Sequence, residues 1–396
     1  MEVEALIFKA TLKNPKHEEY GEAAVPFPIP PNEYEPILEQ LEALELGDAV
    51  QQDCRISEID GAYPILKRME GSSVNLDELD YLAKRLDSFT DQEAAQFQAA
   101  AVKFGINGIK DLINLTFCCQ QTTVITDFSD LNQIGRDHYL TLHGGCVPTE
   151  KLEQLDTRQF ALSLICNADG YVTPYGVIYD NGMEMEELYD GTHFPCYLYD
   201  QSELILEVPS QTGWNEASTW LYLPMPERQI KRLLERDCLT PEDAGYRITD
   251  SELSPKVKYI AEKQESSILE LNKMCAAISA LDRCSRTKLD AAIEMAEPGN
   301  PLQIEQLAKN LELFDFVPGI KTAAEYGRYL IQESGDFSFD ENLENYYDYQ
   351  AYGEDRLDRE MGLFIPEGYV CYRGFLSLDE VMAGLESERM PQMGGM

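Results

Sequence analysis

The chain has 396 residues, with 71 Asp and Glu against 32 Lys and Arg and a formal net charge of −39 at pH 7. So negative a surface excludes direct nucleic-acid binding, because no basic patch offsets phosphate repulsion. With 44% hydrophobic and 10% aromatic residues the chain can bury real cores, which excludes the disorder of acidic, aromatic-poor sequences.

In chain order, the alternation of EALIFKATL at 4–12 predicts a strand. Pro30-Pro31 followed by Tyr34, Ile37, Leu38, Leu41 and Leu44 predicts a helix from about Pro31. Leu76, Leu79, Leu82, Ala83 and Leu86 form one helical stripe, and Phe97, Ala101 and Phe104 another. Gly105 and Gly108 punctuate the chain before Ile109, Leu112, Ile113 and Leu115. A helix around Leu131 to Leu140 precedes a segment in which Ala168-Asp169-Gly170 and Asn181-Gly182 are expected as hairpin turns.

The order then begins again. SELILEV at 202–208 and WLYLPMPERQIKRLLE repeat the opening strand, loop and helix, Pro28-Ile29-Pro30 matching Pro224-Met225-Pro226. Arg55-Ile56 recurs as Arg247-Ile248, DELDYLAKRL as ELNKMCAAI, and Leu131 to Arg136 as Ala323 to Arg328, each 192 residues later. The expected fold is α+β, an elongated multidomain chain of two similar halves. Each half has a small α/β module (1–70, 196–262), a helical module (71–118, 263–315) and a second α/β module (119–195, 316–374), and a tail covers 375–396.

Charge is uneven over this frame. From His17 to Cys54 there is no Lys or Arg, and the run contains Glu33, Glu35, Glu39, Glu42, Glu45 and Asp48. Spacings of three and four place Glu35, Glu39, Glu42 and Glu45 on one outward helix face, where like charges cost ~0.2–0.5 kcal/mol per pair. A plain solvated face is the alternative, although ordinary surfaces mix both signs. The second run, 331–360, carries Asp336, Asp340, Glu341, Glu344, Asp348, Glu354, Asp355 and Asp358 against Arg356 and Arg359 alone. Phe337, Phe339, Tyr346, Tyr347, Tyr349 and Tyr352 are interleaved. An aromatic inner layer under a negative outer one would hold carboxylates at fixed spacing, as imitation of a phosphate backbone requires. At the charge density of duplex DNA, 39 charges would extend about 66 Å. The candidate partner-binding residues are these fourteen carboxylates.

Other chemistries are thinly represented. His138, His143 and Cys146 fit no familiar metal-ligand spacing, and Gly105-x-x-Gly108 lacks the Gly-Lys of a phosphate loop. Pairs such as Asp355 and Asp358 could serve a hydrolase, but with carboxylates this numerous nothing marks one pair. The ten Cys show no C-x-x-C, and reduced core residues are expected. Neither a basic leader followed by an apolar run nor a stretch of ~18 apolar residues occurs, so the expectation is a cytoplasmic, non-enzymatic protein with no metal, cofactor or membrane partner.

LFDFVPGIKTAAEYGRYLIQE at 313–333 and LENYYDYQAYGEDRLDREMGLFIPEGYV at 343–370 resemble the ArdA-type antirestriction proteins, whose closing region runs "YPG … LGRYYIEE … YDYEAYGRDL … GYI". EALIFKATLKN with VPFPIP, DELDYLAKRL, DLINLT and YVTPYGVIYDNGMEMEELYDGTHFP also look like that family's long, mobile-element branch. The sequence departs from the pattern in its doubled length and in Glu354, where the family often has Arg. The resemblance implies an elongated, bent mimic of B-form DNA that occupies the groove of a type I restriction-modification enzyme, on its specificity and methyltransferase subunits, and spares incoming plasmid or transposon DNA. The duplication makes a homodimer or an internal pseudo-dimer the expected form. The rival readings are DNA or RNA mimicry aimed at another DNA- or RNA-handling defence complex, such as a CRISPR effector or a BREX-type methyltransferase, and an acidic assembly or chaperone factor for a basic protein.

Overall fold

A computed structural model describes residues 6–210, 217–263, 266–335 and 338–385. In chain order the first half contains β1 (Phe8–Lys13), β2 (Glu22–Phe27), α1 (Tyr34–Glu42), β3 (Cys54–Gly61), β4 (Ser73–Val74), α2 (Leu76–Asp87), α3 (Asp91–Phe104) and α4 (Ile109–Leu115). It continues with β5 (Thr123–Ile125), α5 (Leu131–Leu142), α6 (Thr149–Glu153), α7 (Thr157–Asn167), β6 (Tyr171–Thr173) and β7 (Gly176–Tyr179). The second half contains β8 (Leu204–Pro209), β9 (Ser218–Leu223), α8 (Glu227–Glu235), β10 (Arg247–Ser251), α9 (Pro255–Lys263), α10 (Ile268–Ser279), α11 (Arg283–Ala296) and α12 (Pro301–Lys309). It closes with β11 (Phe314–Pro318), α13 (Ala323–Gln332), α14 (Tyr349–Glu360), β12 (Leu363–Ile365), β13 (Gly368–Tyr372) and α15 (Leu378–Met382). Small antiparallel sheets among helices make the fold α+β.

The halves agree in detail. Sheet orders β2-β1-β3-β4 and β10-β8-β9 place the first strand of each half between the same neighbours, and β5-β7-β6 matches β11-β13-β12. α2 and α10 both start at capping boxes, Asn75 with Glu78 and Ser267 with Glu270, which satisfy orphan amides at the helix start. Ile29 donates its amide to Asp80 Oδ1 at 2.7 Å, and Met225 donates to Asn272 Oδ1 at 2.8 Å, so the same loop is tied to the same helix twice.

By packing, the chain divides into two compact units. The first comprises Met1–Tyr199, Pro209–Trp220 and Arg228–Thr240; the second comprises Asp200–Val208, Leu221–Glu227 and Pro241–Met396. In the first, Phe8, Leu12, Val25 and Phe27 of the β1–β2 pair join Leu38 and Leu41 of α1 and Leu79, Leu82 and Phe97 of the helical layer in one core. A smaller core joins Ile125, Ile134, Ala161, Leu164 and Tyr179 beneath α5 and α7. In the second unit, Ile320, Tyr326, Leu330, Tyr369 and Cys371 occupy the corresponding place beneath α13.

Three local expectations are corrected. The helix of the first acidic run starts at Tyr34 and ends at Glu42, so Glu45 lies beyond it with φ +55°. Pro174-Tyr175 turns the β6–β7 hairpin; Asp169-Gly170 precedes it and Asn181-Gly182 follows it. Of the cysteines, Cys54, Cys118, Cys119, Cys275 and Cys371 are buried, whereas Cys146, Cys166, Cys196, Cys238 and Cys284 are exposed.

Candidate partner-binding surface

The first acidic run is built on α1. Tyr34, Ile37, Leu38 and Leu41 turn into the core, which leaves Glu33, Glu39 and Glu42 exposed and Glu35 half-buried. The face is not purely negative: Arg228 of α8 pairs with Glu35 at 3.4 Å and with Glu42. Glu33 and Glu39 have no side-chain partner among the described residues. Glu45 stands 3.9 Å from His17 Nε2, and Asp48 Oδ1 accepts from the amides of Val50 and Gln51, which makes it the pivot of a turn. Of these six carboxylates, two are neutralised by an arginine and one is occupied in holding its own loop.

Sequence reasoning missed the arginines. Arg228, Arg232 and Arg236 recur every fourth residue, a spacing that puts all three on one side of a helix. Arg232 makes an ion pair of 2.8 Å with Asp77, whose side chain is only 6% exposed, and donates to the carbonyls of Gly47 and Asp48. Buried Arg236 donates to Ala49 O and Asn75 Oδ1 at 3.1 Å, Tyr189 Oη at 2.6 Å, Gly191 O at 3.0 Å and Thr192 O at 2.9 Å. The arginines thereby clip the 47–49 loop and the 189–192 turn into the first unit.

The second acidic run is built on α14 and the 3-10 turn Glu341–Tyr346 before it. Asp340 caps that turn through the Asn342 amide at 2.9 Å, and Asp348 caps α14 through the Ala351 amide at 3.0 Å. Glu354 accepts from Gln350 at 2.5 Å, and Asp355 pairs with Arg359 at 2.9 Å. Glu344 and Asp358 are exposed without a side-chain partner among the described residues. Asp336 and Phe337 lie outside the described residues, as does the side chain of Glu341. The aromatic layer holds in part: Phe339 meets Tyr347 and Tyr347 meets Tyr349 as tilted ring pairs, with centroids 5.7 and 5.9 Å apart, and Tyr352 packs on the core. Tyr346 does not belong to it and is 85% exposed.

Two devices fix α14. Gly327 and Gly353 let α13 and α14 touch backbone to backbone, since a Cβ at Gly327 would meet Tyr349 O at 2.0 Å and one at Gly353 would meet Ala323 O at 1.8 Å. In the first half Gly135 does the same against Thr157 O at 1.7 Å, between α5 and α7. Glu360 then turns inward, accepting from Tyr326 Oη at 2.6 Å and Tyr369 Oη at 2.8 Å and pairing with Arg356. Burial first, and then the bond to Glu360, push both phenols well above their ordinary pKa, so they remain donors.

The two third modules carry different charge. From 323 to 371 there are twelve carboxylates against three basic residues, whereas from 131 to 179 there are five against three. In the latter, His138 is buried with Nδ1 2.8 Å from Thr123 Oγ1, burial lowers its pKa, and His143 bonds its own turn at Tyr139 O. No group of three or more His, Cys, Asp or Glu able to hold a metal is present among the described residues, and no helix is long and apolar enough to cross a membrane.

Residues 215–371, from β9 to β13, match the family model of the antirestriction protein ArdA. No curated protein matches the chain. The matched stretch contains both the α8 arginines and the carboxylates of α14. Over residues 215–371 the chain is therefore similar to the ArdA antirestriction proteins.

Proposed function

We propose that the chain is a non-catalytic DNA mimic that occupies the DNA-binding groove of a type I restriction-modification enzyme, on its specificity and methyltransferase subunits, and so protects incoming mobile DNA. The observation that carries this reading is the α14 region: Glu354, Asp355 and Asp358 are exposed on α14, with Asp348 at its cap and Asp340 and Glu344 on the turn before it, and α14 is locked by a glycine crossing and by the Glu360–tyrosine clamp. A carboxylate array on a rigid support presents charge at fixed spacing, and a complementary field speeds encounter with a cationic groove. Glu33 and Glu39 of the first run are a second contact. Agreement of element order, sheet order, caps and glycine crossings between the halves supports descent from one duplicated unit, which makes an internal pseudo-dimer the expected form.

The test is competition. Titrating the protein into a type I enzyme with its DNA should give inhibition relieved by added competitor DNA and weakened as salt rises, with a slope shallower than that of DNA itself. Inhibition indifferent to competitor DNA would overturn the reading.

A further inference from the structure

Arg228 is the second residue of α8, in the first turn of a helix, where the helix dipole disfavours a cation. Its guanidinium reaches α1 instead and lies against Glu35 at 3.4 Å and against Glu42. Those two carboxylates stand two turns apart on one face of α1, with Glu39 between them exposed. No Lys or Arg occurs between His17 and Cys54, so a cation for this face has to come from far along the chain. α8 delivers it from nearly two hundred residues away.

The three arginines of α8 divide by burial. Arg232 pairs with buried Asp77 and Arg236 is buried among the carbonyls of Ala49, Gly191 and Thr192, so these two hold α8 in the first unit. Arg228 differs: its side chain and those of Glu35 and Glu42 are 33%, 44% and 57% exposed. Anchoring gains little from it, because exposed pairs are weak and salt screens them. The contact does, however, occupy two carboxylates of an acidic face with the group that a cationic groove would bring from outside, a guanidinium set between carboxylates.

We propose that Arg228 is an internal plug, an autoinhibitory contact that holds the place of a partner's cation between Glu35 and Glu42 and leaves when the cationic groove docks. While the plug is in, only Glu33 and Glu39 of the run are open, and the α1 face binds at reduced strength. This rests on the mimicry reading above and adds a regulatory residue to the first acidic run.

The test uses the full-length chain in competition with DNA for a type I enzyme, at low and at moderate salt. R228Q should reach half inhibition with about threefold less protein at low salt, and the gain should shrink as salt rises. In an E35Q/E42Q background most of that gain should vanish, because no carboxylates remain to be uncovered. Inhibition by R228Q equal to or weaker than wild type would overturn the plug. An equal gain in both backgrounds would overturn it too, since removing one positive charge from anywhere would then suffice. Should R228Q melt below wild type, R228M, which keeps the aliphatic stem without the charge, decides by the same outcomes. A wild-type chain that fails to compete with DNA defeats the mimicry reading itself, a result distinguishable from an R228Q that inhibits like wild type.

Discussion

Gly327 and Gly353 leave no room for a methyl group between α13 and α14. Alanine at either should destabilise the protein by about 1–3 kcal/mol, because both obstacles are backbone carbonyls and the helices must separate. Urea unfolding of G327A, G353A and the first-half counterpart G135A would check this, and a wild-type midpoint for all three would show that the crossings tolerate separation. Asp290 is a second residue with a measurable consequence. Burial raises its carboxyl above the ordinary Asp value, while the Ser254 hydroxyl, 2.5 Å away, and Lys256 offset part of that and Glu367 adds to it. A folded-state pKa above the unfolded one means that the fold binds this proton better, so its contribution is complete below the unfolded value and is lost as pH rises through the raised one. D290N, which still accepts from Ser254, should raise the melting temperature at neutral pH, and the gain should vanish once the wild-type carboxyl is protonated in both states. Melts of both proteins from pH 3 to pH 8 test the sign.

At the scale of elements, α1 and α14 look alike in sequence, yet the structure treats them differently. Arg228 neutralises Glu35 and Glu42 on α1, whereas the basic residues on α14, Arg356 and Arg359, pair along their own helix and leave Asp358 unpaired. If α14 acts as a distributed field, E344Q or D348N alone should weaken inhibition less than about fivefold, since exposed pairs are worth ~0.2–1 kcal/mol. Neutralising Asp336, Asp340, Glu341, Glu344, Asp348, Glu354, Asp355 and Asp358 together should abolish it. Asn is the correct substitute at Asp340 and Asp348 because it caps a helix as well as Asp. Circular dichroism beside the inhibition assay separates a lost surface from a lost fold, and one substitution that kills activity without unfolding the chain would point to an enzyme.

On the scale of the whole molecule, the chain's divisions in sequence and in space do not coincide. Residues 228–240 follow the second half's opening strands in sequence but pack in the first compact unit. There Arg232 compensates the buried Asp77. R232A should cost about 3–5 kcal/mol, because it leaves that carboxylate buried and unpaired. R228A should cost less than about 1 kcal/mol, because Glu35 and Glu42 remain in water. Urea unfolding of the two variants distinguishes them, and equal costs would refute the assignment. A fragment 1–195 lacks all three arginines and should be less stable than 1–240.

The proposed repeat rests on signals that are local in the residues: Asn75 and Ser267 each precede a Glu three residues on, and Gly135 and Gly327 each head a close helix crossing, 192 positions apart. The two acidic runs were legible for the same reason, as charge along a chain needs no fold to be counted. Which carboxylates remain available was not. Glu35 and Glu42 meet Arg228 from nearly two hundred residues away, Asp48 turns onto its own loop, and Tyr346 stands out of the aromatic layer that its neighbours form. Periodicity and local caps act over three or four residues and are written in the sequence, whereas pairing and burial depend on which surfaces meet, and only the tertiary structure decides that.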